Sequence, residues 1–344
     1  MVKVTQKQIA EAAGVSPAAV SAALSGQAEA RGISPDTAER ILEVGRSLGY
    51  VPAQRRERAL ARTIGLVLRQ RVRFFLNNPF YASIYSGIVE ELARHDFHVL
   101  FSLPQEELVD RLSLPRVVSQ RKVDGLILLG ELPFDYVGRL VDFGVRLVCV
   151  NFEHSPEVTS VLIDGRAEAT AAMAYLHQLG HCRIAYLCDQ NGSQHSLGRL
   201  EGYRANLPAD VAACVIEADG GDIENGERAI REYLGRHDRR ALPFSCLLAE
   251  NDFLAIGAIR AFREAGLSVP DDVGVMGGQD FDPQGRFDCA LTTTGVSKTA
   301  MGHLAARALV EAIIEDRDQA VKMVVPTTIV ERGSVRPVSP EGES

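Results

Sequence analysis

Residues 4–26, VTQKQIAEAAGVSPAAVSAALSG, read as two short helices around a tight turn. Thr5 carries the side-chain oxygen that a helix N-cap needs, and Ile9, Ala10 and Ala13 follow at helical spacing. Gly14 breaks this helix. Ser16 and Pro17 start a second one, whose apolar positions are Val20, Ala23 and Leu24. Two helices joined in this way can place the second in the DNA major groove. Working outward, residues 33–50, ISPDTAERILEVGRSLGY, predict a third helix. Ser34 is its N-cap, Pro35 its first helical residue, Ile41, Leu42, Val44 and Leu48 its apolar face, and Gly49 its stop. Residues 1–50 are therefore expected to form a three-helix headpiece. Residues 51–63, VPAQRRERALART, hold four arginines and little to bury, so they read as a hinge or linker.

Charge supports this division. Residues 1–63 have nine Lys/Arg against six acids, a balance of +3, whereas the whole chain carries −8. The remaining residues thus hold −11, which fits a small DNA-facing module on an acidic body. At 344 residues there is chain enough for two or three cores. The cysteines at 149, 182, 188, 214, 246 and 289 form no C-x-x-C pair and lie mostly in apolar runs, as expected of small core residues in a reducing compartment. Lys3, Lys7 and Glu11 interrupt any apolar leader, and no apolar run approaches the roughly 20 residues that span a bilayer. The expectation is a cytoplasmic protein with no membrane partner.

From Thr63 onward, apolar runs alternate with amphipathic helices. TIGLVLR, HVLFS, GLILLG, RLVCVN and SVLI read as buried strands, and YASIYSGIVEELARH as a helix with Ile84, Ile88 and Leu92 on one face. A second set follows, with RIAYLC, ACVIEA, CLLAE and VGVMGG as strands and helices between them. This alternation predicts an α/β fold of doubly wound parallel sheets, in two lobes because the units are too many for one domain. SKTAMGHLAARALVEAIIE and TTIVERG come after the second set and are expected to cross back between the lobes.

The order of these motifs resembles the lactose-repressor (LacI/GalR-type) family of transcriptional regulators, from Val4 to about Pro337. LGHCRIAYL, RLEGY, ENDFLAIGAIRAFREAGLSVPDDVGVMG, LTTTGVSK and IVERGSVRP follow in family order. The resemblance implies a periplasmic-binding-protein-like, effector-binding core over 64–338. Lobe 1 would cover about 64–164 and 296–326, lobe 2 about 165–295 and 327–338, with a tail at 339–344. It also implies a homodimer on a near-palindromic double-stranded DNA operator, no cofactor, and a small polar effector of the sugar or nucleoside class in the inter-lobe cleft. Coupling would follow from the effector's differential affinity for two states.

At the family's base-reading positions this chain has Pro17, Ala18 and Ala22, which carry no side-chain hydrogen-bonding group. Ser16, Ser21, Thr5 and Gln6 are candidate phosphate contacts. Alanine methyl groups can still touch a thymine methyl, but each absent bidentate contact removes roughly 1–3 kcal/mol of discrimination. In the linker, Ala53 follows Pro52 where the family commonly has Asn. Leu60 reaches the position of the family's minor-groove wedge only with a one-residue shift, Ala59 standing there otherwise. Arg55 and Arg56 can neutralise phosphates either way.

For the effector, the resemblance points to Phe80, Asp164, Ser193, Arg199, Asn251, Gln279 and Asp280. Phe80 in NPFY either stacks on a ligand or packs in the core. Arg199 offers a guanidinium fork, and Asn251 both donates and accepts. Gln279 stands where the family's ligand-binding Asp would be, and the region of Gly221 and Ile223 lacks the family's aromatic platform. A polar ligand is expected, because these side chains need partners. His177 and His181 are four apart, but Gly180 ends the helix between them, so no metal site is expected. No G-x-S-x-G, H-E-x-x-H or Walker pattern is present, and no catalysis is expected. Besides a dimeric repressor, a cytosolic sensor with degenerate operator recognition remains open, motivated by Pro17, Ala18, Ala22 and the linker.

Overall fold

The computed structural model describes residues 5–24, 28, 31–48, 60–69, 78–104, 114–237, 241–281, 290–317 and 319–338. The headpiece has helices α1 (Gln6–Ala13), α2 (Pro17–Leu24) and α3 (Pro35–Ser47). Thr5 caps α1 reciprocally: its hydroxyl accepts from the Gln8 amide, and its own amide donates to Gln8 Oε1 at 2.8 Å. Gly14 ends α1 in the left-handed region at φ 63°. The Ser16 hydroxyl accepts from the Ala19 amide and the Ser34 hydroxyl from the Thr37 amide, so α2 and α3 start where the sequence predicts. Ile9, Ala10, Ala13, Val20, Ala23 and Ile41 close the headpiece core. Leu48 differs from expectation: α3 ends at Ser47, and Leu48 is exposed in the turn beyond it.

The chain divides into two compact units: Met1–Val72, Val89–Cys149 and Ala306–Gln319 form one, and Arg73–Ile88, Val150–Ala305 and Ala320–Ser344 the other. Besides the headpiece, the first holds β1 (Thr63–Leu68), β2 (His98–Pro104), β3 (Gly125–Leu129) and β4 (Arg146–Val150), in sheet order β4-β3-β1-β2. β1 runs parallel to both β2 and β3. Its helices are the later part of α4 (Pro79–Arg94), the single turn α5 (Arg116–Ser119), α6 (Phe134–Phe143) and the later part of α11 (Lys298–Ile314). Every residue of β3 is buried, as its unbroken apolar run requires of a strand covered on both faces.

The second unit pairs β5 (Thr159–Leu162) with β11 (Lys322–Val324) in parallel. Its main sheet is fully parallel, in the order β7-β6-β8-β9, from β6 (Ile184–Asp189), β7 (Cys214–Ala218), β8 (Cys246–Ala249) and β9 (Gly274–Met276). Helices α7 (Gly165–Gln178) and α8 (Gln194–Ala205) cover one face over Met173, Leu176, Tyr186 and Tyr203. Helices α9 (Ile223–Arg236) and α10 (Asp252–Glu264) cover the other over Ile230, Leu247, Ile259 and Phe262. This is the doubly wound arrangement the sequence predicts. One feature is added to it: β10 (Thr293–Val296) and β12 (Thr327–Val330) form an antiparallel pair. Cys149, Cys188 and Cys246 are buried as expected, whereas Cys182 is exposed and Cys214 half-buried.

Candidate functional site

On the headpiece, α2 presents Pro17, Ala18 and Ser21 to solvent, with Ser16 exposed at its cap. Ala22 is buried at 5% exposure, turned to the inner side of the same helix. Thr5 is exposed and Gln6 half-buried at the start of α1. Leu60 is exposed, and two residues on the chain is anchored by Arg62, which pairs with Asp96 at 3.2 Å. Arg55 and Arg56 lie outside the described residues.

The second site forms at the carboxyl ends of β6 and β8, where ligands of open parallel sheets bind. The helices that follow the strands each begin there with a polar cap. Asp164 caps α7, its carboxylate accepting from the Ala167 amide at 2.9 Å. Ser193 caps α8 and lies 3.1 Å from the Ser196 hydroxyl. Asp222 caps α9. Asn251 caps α10, accepting from the Leu254 amide and donating through Nδ2 to the Gly221 carbonyl at 3.2 Å. Glu250, 7% exposed, accepts from the Ser196 hydroxyl at 2.6 Å and the Asp189 amide at 3.0 Å, which ties the ends of β6 and β8 together.

Behind these caps lies a buried ionic cluster. α7 and α8 approach closely because Gly165 has no side chain: a Cβ there would stand 2.3 Å from the His195 carbonyl oxygen. Glu168 on α7 thereby meets Arg199 on α8 at 2.5 Å and His195 Nε2 at 2.8 Å, all three nearly or fully buried. Thr294 on β10 donates its hydroxyl to the same carboxylate. Burial opposes the charge of Glu168, but the Arg199 guanidinium and the His195 hydrogen bond outweigh it and hold the carboxyl well below the ordinary range. The second Nη of Arg199 donates to the Ala249 carbonyl, while its Nε has no hydrogen-bond partner.

Gln279 joins this cluster. Its amide Nε2 lies 3.2 Å from His195 Nδ1, and its backbone amide donates to the Thr294 hydroxyl at 3.1 Å. Nε2–H of the imidazole donating to Glu168, with Nδ1 accepting from Gln279, accounts for both bonds. Gln279 and Asp280 are both left-handed, at φ 80° and 48°. Asp280 is held by Arg332 at 2.8 Å, and its carbonyl accepts from Lys298 Nζ at 2.7 Å. The neighbouring Asp252 accepts from the Thr293 hydroxyl and the Phe281 amide, each at 2.6 Å. Burial pushes its carboxyl up to about 7, with those two hydrogen bonds opposing the shift. Phe80 is buried, edge-on to Tyr81 and 5.9 Å from the Phe281 ring.

Thus Arg199 and Gln279 are brought together through Glu168, His195 and Thr294; Asp280 is joined to Arg332 and Lys298; and Asp164, Ser193 and Asn251 serve as helix caps at the edge. The sequence reading omitted Glu168, His195, Glu250, Asp252 and Thr294. Glu168 had a signal: it falls on the stripe of Ala172 and Leu176, both fully buried, so a carboxylate there needed a buried cation. His181, considered earlier as half of a metal pair, spends its nitrogens on Ser245 and the Arg336 carbonyl. No group of three or more potential metal ligands occurs among the described residues, and no described helix is long and apolar enough to cross a membrane.

A helix-turn-helix headpiece followed by doubly wound α/β units with a polar cluster at the strand ends defines a DNA-binding regulator with a periplasmic-binding-protein-like body. Residues 5–53 match the bacterial regulatory proteins of the lacI family, and residues 173–335 match a periplasmic binding protein-like domain. The chain thus carries a LacI-family helix-turn-helix region and a periplasmic-binding-protein-like domain, and its relatives are LacI-family transcriptional regulators. It is similar to the HTH-type transcriptional regulator CelR of Thermobifida fusca, 28% identical over 96% of this chain and 98% of that one. It is also similar to the repressor PurR of Aliivibrio fischeri, 26% identical over 96% and 98%. A solved complex of the regulator CelR with cellobiose superposes at a TM-score of 0.69, with 26% identity over 96% of this chain and all of that one. These relatives are named as transcriptional regulators, a non-enzymatic family.

Proposed function

We propose that this protein is a cytoplasmic, homodimeric repressor that binds a near-palindromic operator in double-stranded DNA and responds to a small, polar, sugar-like effector. The observation that carries the effector reading is the clustering of hydrogen-bonding side chains at one strand edge. The start of α7 lies against the His195 carbonyl, His195 meets Gln279, and Asn251 meets Gly221. A polyol presents donors and acceptors in alternation and suits the exposed cap Asp164 with Ser193, Asn251 and Gln279. Phe80 and Phe281 supply the apolar side, and Arg199 and Asp280 stand behind as the framework. The cellobiose bound to the CelR relative supports the sugar class.

On DNA, Thr5, Gln6, Ser16 and Ser21 are assigned to phosphates, and Pro17 and Ala18 to apolar contacts in the groove. Ala22 seats α2, and Arg55, Arg56 and Leu60 act from the hinge. The headpiece is placed at 1–50, the hinge at 51–63 and the effector-binding core at 64–338. Selection of bound fragments from genomic DNA, repeated with and without a sugar panel, tests the reading. An enriched palindrome whose retention changes with one sugar is expected. With no enriched sequence at low salt, the protein is instead a sensor without an operator, a reading that the uncharged face of Pro17 and Ala18 favours.

A further inference from the structure

The carboxyl edge that the reading above assigns to the effector has an unusual charge arrangement. Four helices, α7 to α10, begin there, and helix N-termini ordinarily attract anions. Two of the four are already capped by the chain's own carboxylates, Asp164 and Asp222. The two buried cations of this unit among the described residues, Arg199 and Lys298, are likewise engaged. Arg199 is bound by Glu168 at 2.5 Å, and Lys298 lies on the Asp280 carbonyl, whose carboxylate takes Arg332. Glu250 is a further buried carboxylate, accepting from the Ser196 hydroxyl and the Asp189 amide. Asp189 lies beside it, accepting from the Asn191 amide. Arg166, one residue into α7, is exposed, where water and salt screen it.

We propose that the effector is an uncharged polyhydroxy compound, with Glu168 serving as a built-in counter-anion that occupies Arg199 where an acidic ligand would otherwise bind. Glu168 accepts from Arg199, His195 and Thr294, the set of partners a bound ligand carboxylate would take. An added anion at this edge would find the guanidinium occupied and would meet Asp164, Asp189 and Glu250, which repel it. This inference rests on the effector reading of the same edge.

The test measures thermal stabilisation of the full-length wild type by neutral sugars (glucose, cellobiose, ribose) and by their charged counterparts, glucuronate and glucose 6-phosphate. A shift with at least one neutral sugar and none with the anions at tenfold higher concentration is expected. A shift by glucuronate or the phosphate equal to that of its neutral counterpart overturns the proposal while leaving the effector reading intact. In Glu168→Ala, which vacates the carboxylate position, acetate or formate should raise the melting temperature by several degrees over chloride, with no such effect on the wild type. If that variant does not fold, Glu168→Gln replaces it, and glucuronate should bind about tenfold tighter than to the wild type. A wild type indifferent to every sugar, with variants indifferent to every anion, overturns both this proposal and the effector reading. An anion response in the variants alone keeps the counter-anion role and removes the neutral effector.

Discussion

Asp252 sits in an environment far from that of an ordinary carboxylate. It is 3% exposed, and burial raises its carboxyl from 3.8 to about 7. A raised folded-state value means that the native protein binds the proton more tightly than the unfolded chain does. The contribution is therefore fully present below about pH 4 and is lost as pH rises through about 7. The bound from linkage is about 4 kcal/mol, reduced by whatever relaxation admits water. Asp252→Asn should flatten this part of the stability profile, since Asn still accepts from the Phe281 amide and the Thr293 hydroxyl can turn to accept. Urea unfolding at pH 5 and pH 8 checks it: the wild type should lose stability across the interval and the variant should not. Gly278 is constrained by space alone. A Cβ there would lie 2.7 Å from the Glu250 carbonyl oxygen and 2.8 Å from Arg199 Nη2. Gly278→Ala should cost about 1–3 kcal/mol by forcing Arg199 away from Glu168, and equal midpoints for variant and wild type in urea would contradict this.

At the scale of elements, what the sequence showed and what it hid have the same cause. Helix starts were legible because caps are local: Thr5, Ser16 and Ser34 bond amides three residues on. The central strands β3 and β8 were legible because both faces are buried and each run is apolar throughout. β10 was not, because it reads TTGV, and its threonines are buried only by virtue of partners far along the chain. Thr293 reaches Asp252, and Thr294 reaches Glu168. β11 is three residues long at an exposed edge, too short for any pattern to register. The buried cluster was hidden for the same reason: Arg199 and Gln279 could be matched one at a time, but that their charges and amides are already spent on Glu168 and His195 is a tertiary fact. Close helix packing belongs to this scale too. α9 and α10 touch through Gly226 and Gly257, where a Cβ on Gly257 would stand 2.2 Å from the Ile223 carbonyl oxygen. Gly257→Ala should push the helices apart and cost about 1–3 kcal/mol, with faster hydrogen exchange in α9 and α10 than in α7 and α8. Uniform exchange across all four helices would show that the pair yields without separating.

For the whole molecule, the headpiece at 1–50 is neutral on balance, the hinge at 51–63 carries the +3, and the rest is strongly acidic, so one headpiece alone has little with which to hold DNA. Its recognition helix exposes Pro17, Ala18 and Ser21, a face with one hydroxyl for hydrogen bonding. Useful affinity must therefore come from joining two such headpieces, which is what the proposed dimer supplies. Tethering raises the local concentration of the second headpiece into the millimolar range, so the pair can bind 10²–10⁴ times more tightly than either alone. That gain depends on both half-sites facing the same side of the duplex. Inserting five base pairs at the centre of the selected palindrome turns one half-site by about half a helical turn. Affinity should then fall to nearly that of a single half-site, a loss of about two orders of magnitude or more. Inserting ten should restore part of it, because the faces realign at a longer span. Both measurements belong at one fixed salt concentration, since phosphate contacts alone change the constant steeply with salt. Equal affinity for the palindrome and the five-base-pair insertion would mean that each headpiece binds independently, and the dimeric reading would fall with it.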